Sequence, residues 1–449
     1  MQFELTKEYL QEVKNAIDYN QVGWLKEQII DLHAADIAEV LDELSTEQAH
    51  FVYRLLEEEK AADVLVELEE DVRERFLSSF TSKEIAENID NLDTDDAADV
   101  LAELPEEKKD EVLAQVEDQE HATDIANLLL FKEGTAGALM AKELIKVKES
   151  LTVVECLREM RKQAEDLDFI YTVYVVDEEE KLIGILSLKK LLLTANKINI
   201  GTICKRDVIF CDTSAPLEDV VKRMEKYDLV VLPVVDESKK LVGRITIDDV
   251  VDVIKEEAEK DYRMASGLSE DVESSDTIWV LSRARLPWLI IGLLGGVLGA
   301  KVIRLYEHDI HIHPEMAFFI PLIAAMGGNV GVQSSAIIVQ GLANNSLGMD
   351  SILTKLGKEF SVALLNGFVC ALLLFIYNSI FQDTWNLTVT VSSALFAVIL
   401  FAALFGTLVP LVLNRYKIDP ALATGPFITT VNDVFGLLLY FMIGRLLYI

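Results

Sequence analysis

The pattern of hydrophobic and polar positions changes twice along the chain. From about residue 5 to 133, apolar residues recur at the i, i+3, i+4, i+7 spacing of amphipathic helices. Similar units return at irregular intervals, each with an acid near its start: AADIAEVLDEL (34–44), AADVLVEL (61–68), KEIAENIDNL (83–92), AADVLAEL (97–104) and ATDIANLLL (122–130). The pattern predicts an all-α, superhelical N-terminal domain over residues 1–133.

Two similar segments of mixed pattern follow Gly134. The first contains LIKVKESLTVVECLREM (144–160) and YVVDEEEKLIGILSLKKLL (174–192), and the second contains VIFCDTSAPLEDVVKRM (208–224) and PVVDESKKLVGRITIDDVV (233–251). Each predicts a strand, a helix, two apolar strands joined by an acidic hairpin, and a final helix. We therefore expect two α/β domains, 134–203 and 204–254. The repeat resembles a tandem of CBS domains, which are regulatory modules that often bind nucleotides.

A strongly acidic stretch, DDVVDVIKEEAEKDYRMASGL (248–268), leads from the second domain toward the apolar half. Its apolar residues recur at helical spacing, and like charges four residues apart repel each other. The stretch predicts an acidic connecting helix within 255–281 that cations would stabilise. A solvated connector with no such role is the alternative interpretation.

Five apolar stretches follow, at 287–306, 316–343, 359–381, 387–414 and 421–448, and each is long enough to cross a bilayer. They predict a transmembrane domain over 282–449. Lys and Arg precede the first span and lie between the second and third and between the fourth and fifth, whereas the other two loops have neither. The positive-inside rule therefore predicts a cytoplasmic N-terminus and an outside C-terminus.

The whole net charge of −34 lies in the first 275 residues, because acids and bases balance from Asp276 onward. Such a surface attracts cations and repels nucleic acid. The four cysteines show no metal-binding spacing, and no signal peptide is recognised at the N-terminus, so we expect a reduced, cytoplasmic N-terminal half.

The last span contains one acid, Asp433, near its middle. An ionised carboxylate in hydrocarbon costs roughly 3 kcal/mol on insertion scales, so it should face water, a partner or an ion. Thr429 and Asn432 add oxygen atoms nearby, and oxygen-rich sites suit hard cations such as Mg²⁺. The alternative is a carboxylate that only pairs with another helix.

The second span contains an unusual segment, IPLIAAMGGNVGVQSSAIIVQG (320–341). Its proline and glycines should loosen the helix and allow close approach of backbones, while Asn329 adds a polar group at mid-depth. Irregular backbone in a membrane occurs where it lines a cavity or is buried in protein. Close packing of small residues between helices is the alternative.

Taken together, these features resemble the MgtE family of bacterial magnesium channels, and the resemblance covers essentially the whole chain. Its most specific parts are P-x5-GGN-x-G-x-Q (Pro321 to Gln333) and GPFITTVNDVFGLL in the last span. The resemblance implies a homodimer in the bacterial inner membrane with a pore on its two-fold axis. It implies pore Mg²⁺ held by Asp433 with Asn329 close by, and Gly328, Thr429 and Asn432 as pore-lining residues.

The resemblance also implies regulatory Mg²⁺ sites among the cytosolic domains, which would close the pore when cytosolic Mg²⁺ is high. The implied ligands are Asp63, Asp95, Asp99, Glu218, Asp228, Asp249, Asp252, Glu257, Asp261 and Asp419. The family has an acid where this chain has Lys260. Thr246 and Asp249 match the ribose-binding pattern of nucleotide-binding CBS domains, so ATP is a possible second ligand.

Three other functions fit parts of the sequence. An ion-coupled secondary transporter would need a second ion site, which the spans do not suggest. A membrane-embedded aspartyl protease would need two acids in one bundle, so we expect no enzyme activity. A membrane-anchored CBS sensor would not need Asp433.

The histidines of the loop EHDIHIHPE (307–315) fit an ordinary polar loop better than a transition-metal site. Membrane lipids are the other expected partners.

Overall fold

The structure, a computed structural model, describes residues 3–164, 167, 169–270, 272, 277–343, 352–381, 384–423 and 425–447. It divides into two compact units, Met1–Ile254 and Lys255–Ile449, which are considered separately. Parts of the predicted connecting segment (271 and 273–276) and of one predicted outer loop (382 and 383) lie outside the described residues.

Short helices build the N-terminal part of the first unit. Polar caps set where several of them begin: Ser45 and Gln48, and likewise Thr81 and Glu84, exchange hydrogen bonds at a helix start. The apolar stripes of the repeats face one shared core. The helices are α1 Lys7–Asp18, α2 Val22–Leu25 (followed by a π turn, Lys26–Ile30), α3 Ala34–Asp42, α4 Thr46–Tyr53, α5 Glu58–Glu67, α6 Glu70–Ser79, α7 Ser82–Ile89, α8 Thr94–Ala102, α9 Glu106–Leu113 and α10 Gln119–Leu128.

Two three-stranded sheets follow, and each has one parallel and one antiparallel pair, as the repeat predicts. Their hairpins meet edge to edge, where Leu182 N donates to Lys239 O and Leu241 N donates to Glu180 O, both at 3.1 Å. The elements are α11 Ala136–Leu139, β1 Ile145–Lys148, α12 Val153–Gln163, β2 Val173–Val176, β3 Leu182–Leu186, α13 Leu188–Leu193, α14 Ile200–Ile203, β4 Cys211–Asp212, α15 Leu217–Tyr227, β5 Val231–Val235 and β6 Leu241–Thr246.

The acidic connecting helix, α16 Ile247–Ser266, starts directly after β6 and ends earlier than the predicted 281. Gly267 follows with φ of 76°, a left-handed conformation that ends the helix. The first spanning helix then starts at Ile278, nine residues before the predicted 287, because its polar first turns also fold as helix.

Five helices of the second unit are long and apolar enough to cross a membrane, judged over the described residues. Helix α21 is the most buried of them and packs against α19, α20 and α22. The elements are α17 Ile278–Leu305, α18 Glu307–Ile312, a 3₁₀ turn Pro314–Phe319, α19 Ile320–Ala343, α20 Ile352–Phe381, α21 Trp385–Arg415, a 3₁₀ turn Pro420–Ala423 and α22 Gly425–Leu447. The predicted order of helical domain, α/β tandem, connecting helix and five spans is confirmed.

Helix α19 runs without interruption through the glycine-rich segment, so the expected loosening is wrong. The glycines instead allow close contact with neighbouring helices. A Cβ on Gly406 of α21 would lie 2.4 Å from the carbonyl oxygen of Gly331, so no larger side chain fits there without moving a helix. The close-packing interpretation holds for this pair.

Candidate cation sites

Asp433 lies on α22 about 12 Å along the helix axis from Gly425. Its side chain is partly exposed. No hydrogen bond or ion pair joins it to another of the described residues. A carboxylate in an apolar span that is neither buried nor paired is available to water or to an ion.

Glycine makes the space beside this carboxylate. A Cβ on Gly328 of α19 would lie 3.5 Å from Oδ1 of Asp433 and 3.1 Å from Cγ2 of Thr429. Thr429 Oγ1 donates to Gly425 O at 3.1 Å, which leaves its methyl group toward α19. The next residue of α19, Asn329, is exposed. The structure thus brings Gly328, Thr429 and Asp433 together, with Asn329 adjacent in the chain.

Asn432 has a different position from the one expected of a pore-lining residue. Its side chain is 0% exposed and lies against α19, where a Cβ on Gly331 would be 1.7 Å from Nδ2. Neither amide atom has a hydrogen-bond partner among the described residues. Because adjacent residues of a helix point about 100° apart, Asn432 faces the bundle interior while Asp433 is partly exposed.

A second acid lies inside a spanning helix of the bundle. Glu359, which the sequence placed at the edge of the third span, lies two turns into α20 and accepts a hydrogen bond from Ser334 Oγ at 2.6 Å. Ser334 is 4% exposed. The neighbouring Ser335 donates to Ala423 O at 2.5 Å. These contacts join α19 to α20 and to the turn before α22, and sequence reasoning missed them.

In the first unit, an acidic group forms where α8 meets the α/β tandem. Carboxylate oxygens of Asp93, Asp95 and Glu143 lie within 4.8 Å of one another, close enough to share a metal ion. Backbone N and Oγ1 of Thr94 donate to Glu143 at 3.1 and 2.9 Å. Only Asp95 was predicted, because nothing in the sequence connects Glu143 with residues some fifty positions earlier.

Burial and mutual repulsion make Asp95, Asp96 and Asp249 hard to ionise. Burial is the largest cause of the raised pKa of Asp95, and the charges of Asp96 and Asp249 raise it further. Burial and the charge of Asp249 raise the pKa of Asp96 to about 7. Burial also raises the pKa of Asp249, although Thr246 opposes that shift. A bound cation would relieve this repulsion.

The other predicted regulatory ligands are spread over both units. Asp63 and Asp99 lie on α5 and α8, and Asp252, Glu257 and Asp261 lie on α16. Glu218 pairs with Lys222 at 3.4 Å, and Asp228 ends α15 in a left-handed conformation with φ of 51°. Of these ligands, Asp99 and Asp249 act through their charges on the same acidic group as Asp95 and Asp96.

Asp419 lies opposite a lysine of the connecting helix. Its Oδ2 is 3.9 Å from Nζ of Lys260, and its Oδ1 accepts a hydrogen bond from Ala421 N at 2.9 Å. Both side chains are more than a third exposed, so the ion pair contributes at most about 1 kcal/mol. An ammonium group therefore lies where a cation would otherwise approach this carboxylate.

The predicted ribose-binding pair is occupied with helix capping. Thr246 Oγ1 donates to Asp249 Oδ2 at 2.5 Å, and Thr246 N donates to the same oxygen at 3.0 Å. The cavity lined by Tyr171 and Arg244, whose guanidinium lies 5.2 Å from the Tyr171 ring centre, measures about 10 Å³. That volume holds about one water molecule and no adenine ring in this conformation.

In the segment 307–315, two histidines lie near acids of the same segment. His313 Nδ1 lies 3.3 Å from Glu315 Oε1, and His311 Nε2 lies 3.9 Å from Glu307 Oε1. Over the described part of the chain, three or more metal-binding side chains converge only at Asp93, Asp95 and Glu143. That 307–315 is an ordinary polar loop stays a prediction.

Comparison with known proteins identifies the family to which this architecture belongs. A family model described as a divalent cation transporter matches residues 320–443, the model of the MgtE intracellular N domain matches 32–134, and the CBS model matches 136–195 and 200–256. The magnesium transporter MgtE of Thermus thermophilus is 32% identical over 443 residues, which cover 97% of each chain. The chain belongs to the MgtE family. Its N-terminal part is therefore the intracellular domain of a membrane transporter family.

A further relative and two solved structures support the assignment of this chain to the MgtE family. The magnesium transporter MgtE of Enterococcus faecalis is 34% identical, with 73% of this chain and 72% of that protein covered. Among solved structures, the cytosolic domain of the Mg²⁺ channel MgtE in complex with ATP is 33% identical and covers 54% of this chain and 99% of its own, with a TM-score of 0.51. The soluble part of a magnesium transporter is 29% identical, with a TM-score of 0.50.

The raised pKa of Asp96 predicts that acid stabilises the first unit when Mg²⁺ is absent. Its folded-state pKa of about 7 lies above the ordinary value of about 3.9, so the folded state binds the proton more tightly. The free energy of unfolding should therefore rise as pH falls from about 8 to about 5. Stabilisation by Mg²⁺ should be larger at pH 8 than at pH 6, because protons and Mg²⁺ compete. Thermal unfolding of the full chain checks this, and Asp96→Asn should flatten the pH profile. A melting temperature that falls on mild acidification would contradict it.

Proposed function

We propose that this protein conducts Mg²⁺ across the bacterial inner membrane, beside Asp433, and that Mg²⁺ on the cytosolic side closes the path. The observation that carries the proposal is the partly exposed, unpaired carboxylate of Asp433 beside the open space at Gly328. An anion in an apolar span is tolerated when a divalent cation passes next to it. Membership in a family whose curated relatives are named magnesium transporters supports Mg²⁺ as that cation.

A homodimer would place two Asp433 carboxylates around one ion. Two negative charges then offset the charge of Mg²⁺, which reduces the cost of both in a low-dielectric environment. Mg²⁺ gives up its water reluctantly, so a wide site lined by oxygen and backbone suits a hydrated ion. The exposed Asn329, together with Gly328 and Thr429, provides such a surface in each protomer. Burial assigns Asn432 to packing within the protomer instead.

Cytosolic Mg²⁺ would act on the acidic groups of the N-terminal domains and the connecting helix. At low Mg²⁺, repulsion among Asp95, Asp96 and Asp249 opposes close contact of α8 with the α/β tandem. Bound Mg²⁺ removes this repulsion and so favours one of two conformations. In this proposal Asp93 and Glu143 are ligands too, because their carboxylates converge with that of Asp95.

The second unit offers a direct mechanical link to the pore helix. The connecting helix ends against the start of α22, where a Cβ on Gly425 would lie 2.4 Å from the carbonyl oxygen of Ala265. Gly425 has φ of 50°, a left-handed conformation that also favours glycine. A larger side chain would not fit at this position without moving one of the two helices. A movement of α16 is therefore transmitted to the helix that carries Asp433.

At position 260 of the connecting helix, this chain has a lysine where the MgtE family is expected to have an acid. In the proposal, its ammonium group takes the place of one regulatory cation beside Asp419, so contact between these elements depends less on Mg²⁺. The orientation with a cytoplasmic N-terminus and an outside C-terminus follows from the lysines and arginines of the loops. ATP, which one relative's cytosolic domain binds, would require the cavity at Tyr171 and Arg244 to widen.

Flux measurements on proteoliposomes test this function. Mg²⁺ should enter down its gradient without a Na⁺ or proton gradient, and millimolar Mg²⁺ on the face that carries the acidic domains should stop the flux. Protease protection of the acidic domains should rise over the same Mg²⁺ range. Flux that requires a Na⁺ or proton gradient would support a coupled transporter instead. Protection that does not change from zero to saturating Mg²⁺ would refute the gating mechanism.

A further inference from the structure

A groove of about 660 Å³ opens on the second unit between the end of α16, the first turns of α17 and the start of α22. Its walls include Gly267, Arg285, Trp288, Leu289 and Pro426. The volume lies within the range of small-molecule sites, and the walls are mainly apolar with one cationic group. Nothing in the cation sites described above uses this groove.

Arg285 is the charged group of the groove. It is exposed and makes no ion pair or hydrogen bond with any described residue, whereas Arg283 pairs with Glu270 at 2.9 Å. Helix α17 has 28 residues and is about 42 Å long, more than the roughly 30 Å of a hydrocarbon core. Arg285 lies about 10 Å from its start, and Trp288 is one turn further, which is the depth of lipid headgroups.

An open furrow continues from Trp288 along α17. Gly292 and Gly296 follow at four-residue intervals, and a Cβ on either would meet no atom within 4 Å. Gly295, by contrast, packs against Thr430 of α22. Leu289 and Leu293 beside the furrow are 64% and 67% exposed. A cationic end and an apolar furrow of this kind match the two ends of a phospholipid.

We propose that this groove binds an anionic phospholipid of the cytosolic leaflet. Its phosphate accepts hydrogen bonds from the Arg285 guanidinium, and one acyl chain lies along Trp288, Gly292 and Gly296. The positive charge of Arg285 favours a lipid with a net negative headgroup. One arginine near a membrane surface raises the affinity for such lipids about fivefold. The lipid would contact Gly267 at the end of the connecting helix and Pro426 at the start of α22. The inference does not depend on Mg²⁺ conduction.

Quenching of Trp288 fluorescence by brominated lipids tests this site in the full-length chain. Trp24→Phe, Trp279→Phe and Trp385→Phe leave Trp288 as the only tryptophan. Brominated phosphatidylglycerol should then quench at about a fivefold lower mole fraction than brominated phosphatidylcholine. Arg285→Gln should remove this preference, and the matched control Arg283→Gln, which makes the same charge change at a paired arginine, should keep it.

Four results would overturn the proposal or a part of it. Equal quenching by the two lipids would show that the groove does not select an anionic headgroup. A preference that persists in Arg285→Gln would show that Arg285 does not bind the phosphate. Absence of quenching by either lipid, with Leu289→Cys forming a disulfide-linked dimer, would show that a second copy of the chain covers the groove. Gly292→Leu supports the acyl-chain position if quenching by both lipids weakens while thermal stability is unchanged. Undiminished quenching by both lipids in that variant contradicts it.

Discussion

Asp433→Asn should reduce Mg²⁺ flux into proteoliposomes by at least about a hundredfold. The substitution keeps the shape of the side chain and removes its charge, and attraction between a carboxylate and Mg²⁺ in a partly buried site amounts to several kcal/mol. Because Asp433 makes no hydrogen bond or ion pair with the described residues, its loss should not unfold the protein. Flux measured with a Mg²⁺-sensitive dye inside the vesicles checks this expectation.

Two further variants separate charge from geometry in that experiment. Asp433→Glu keeps the charge but moves it by one methylene, so part of the flux should remain. Glu307→Gln, an equal charge change in α18 at a residue whose carboxylate lies 3.9 Å from His311 Nε2, should leave flux near the wild-type value. Normal flux through Asp433→Asn would mean that the ion passes elsewhere, for example beside Glu359.

The combined variant Asp95→Asn, Asp249→Asn should keep the pore open at cytosolic Mg²⁺ concentrations that close the wild type. Asp95 would be a ligand of the regulatory Mg²⁺ and Asp249 lies in the same acidic group, so neutralising both weakens Mg²⁺ binding while Asp93 and Asp96 still repel each other. A regulatory coupling of 1–3 kcal/mol corresponds to a shift of about 5–150-fold in the half-closing Mg²⁺ concentration. Flux titrated against Mg²⁺ on the cytosolic face measures this shift.

The matched control for the gating variant is Glu58→Gln, Glu59→Gln, which also removes two charges, at exposed acids in the first turn of α5. It should leave the half-closing concentration unchanged, because both side chains are exposed to solvent and neither belongs to the buried acidic group of Asp95. If the combined variant closes at the same Mg²⁺ concentration as the wild type, regulation does not use this group. If both variants shift equally, only the net charge of the domain matters.

The sequence predicts most of this fold because its patterns are local. Helical periodicity gives the N-terminal helices, the repeat gives the α/β tandem, and hydrophobic length gives the five spans. The boundary errors also have local causes: the connecting helix stops at Gly267, whose left-handed conformation the pattern did not reveal. Helix α19 stays regular because its glycines serve contact with Gly406 and Asn432 and do not bend the chain.

The candidate sites were predictable only where one residue type is exceptional in its surroundings. Asp433 is conspicuous because an acid in an apolar span is costly. Glu143 is not, because an acid in a polar loop has no local signal and its convergence with Asp93 depends on the fold. The rotation of a helix is equally hidden, so the sequence suggested that both Asn432 and Asp433 face the pore, although packing buries Asn432 and leaves Asp433 partly exposed. The contact between Lys260 and Asp419 joins residues that no pattern relates.

The occupancy of the Asp433 site is the central claim, and anomalous X-ray scattering from Mn²⁺ tests it most directly. Crystals of the full-length protein, grown with Mn²⁺ in place of Mg²⁺, should show an anomalous peak beside the Asp433 carboxylates at about the distance of a hydrated or directly bound ion. The peak should be lost in Asp433→Asn. A map with ordered Asp433 side chains, packed against a neighbouring helix and without any peak beside them, would contradict the account.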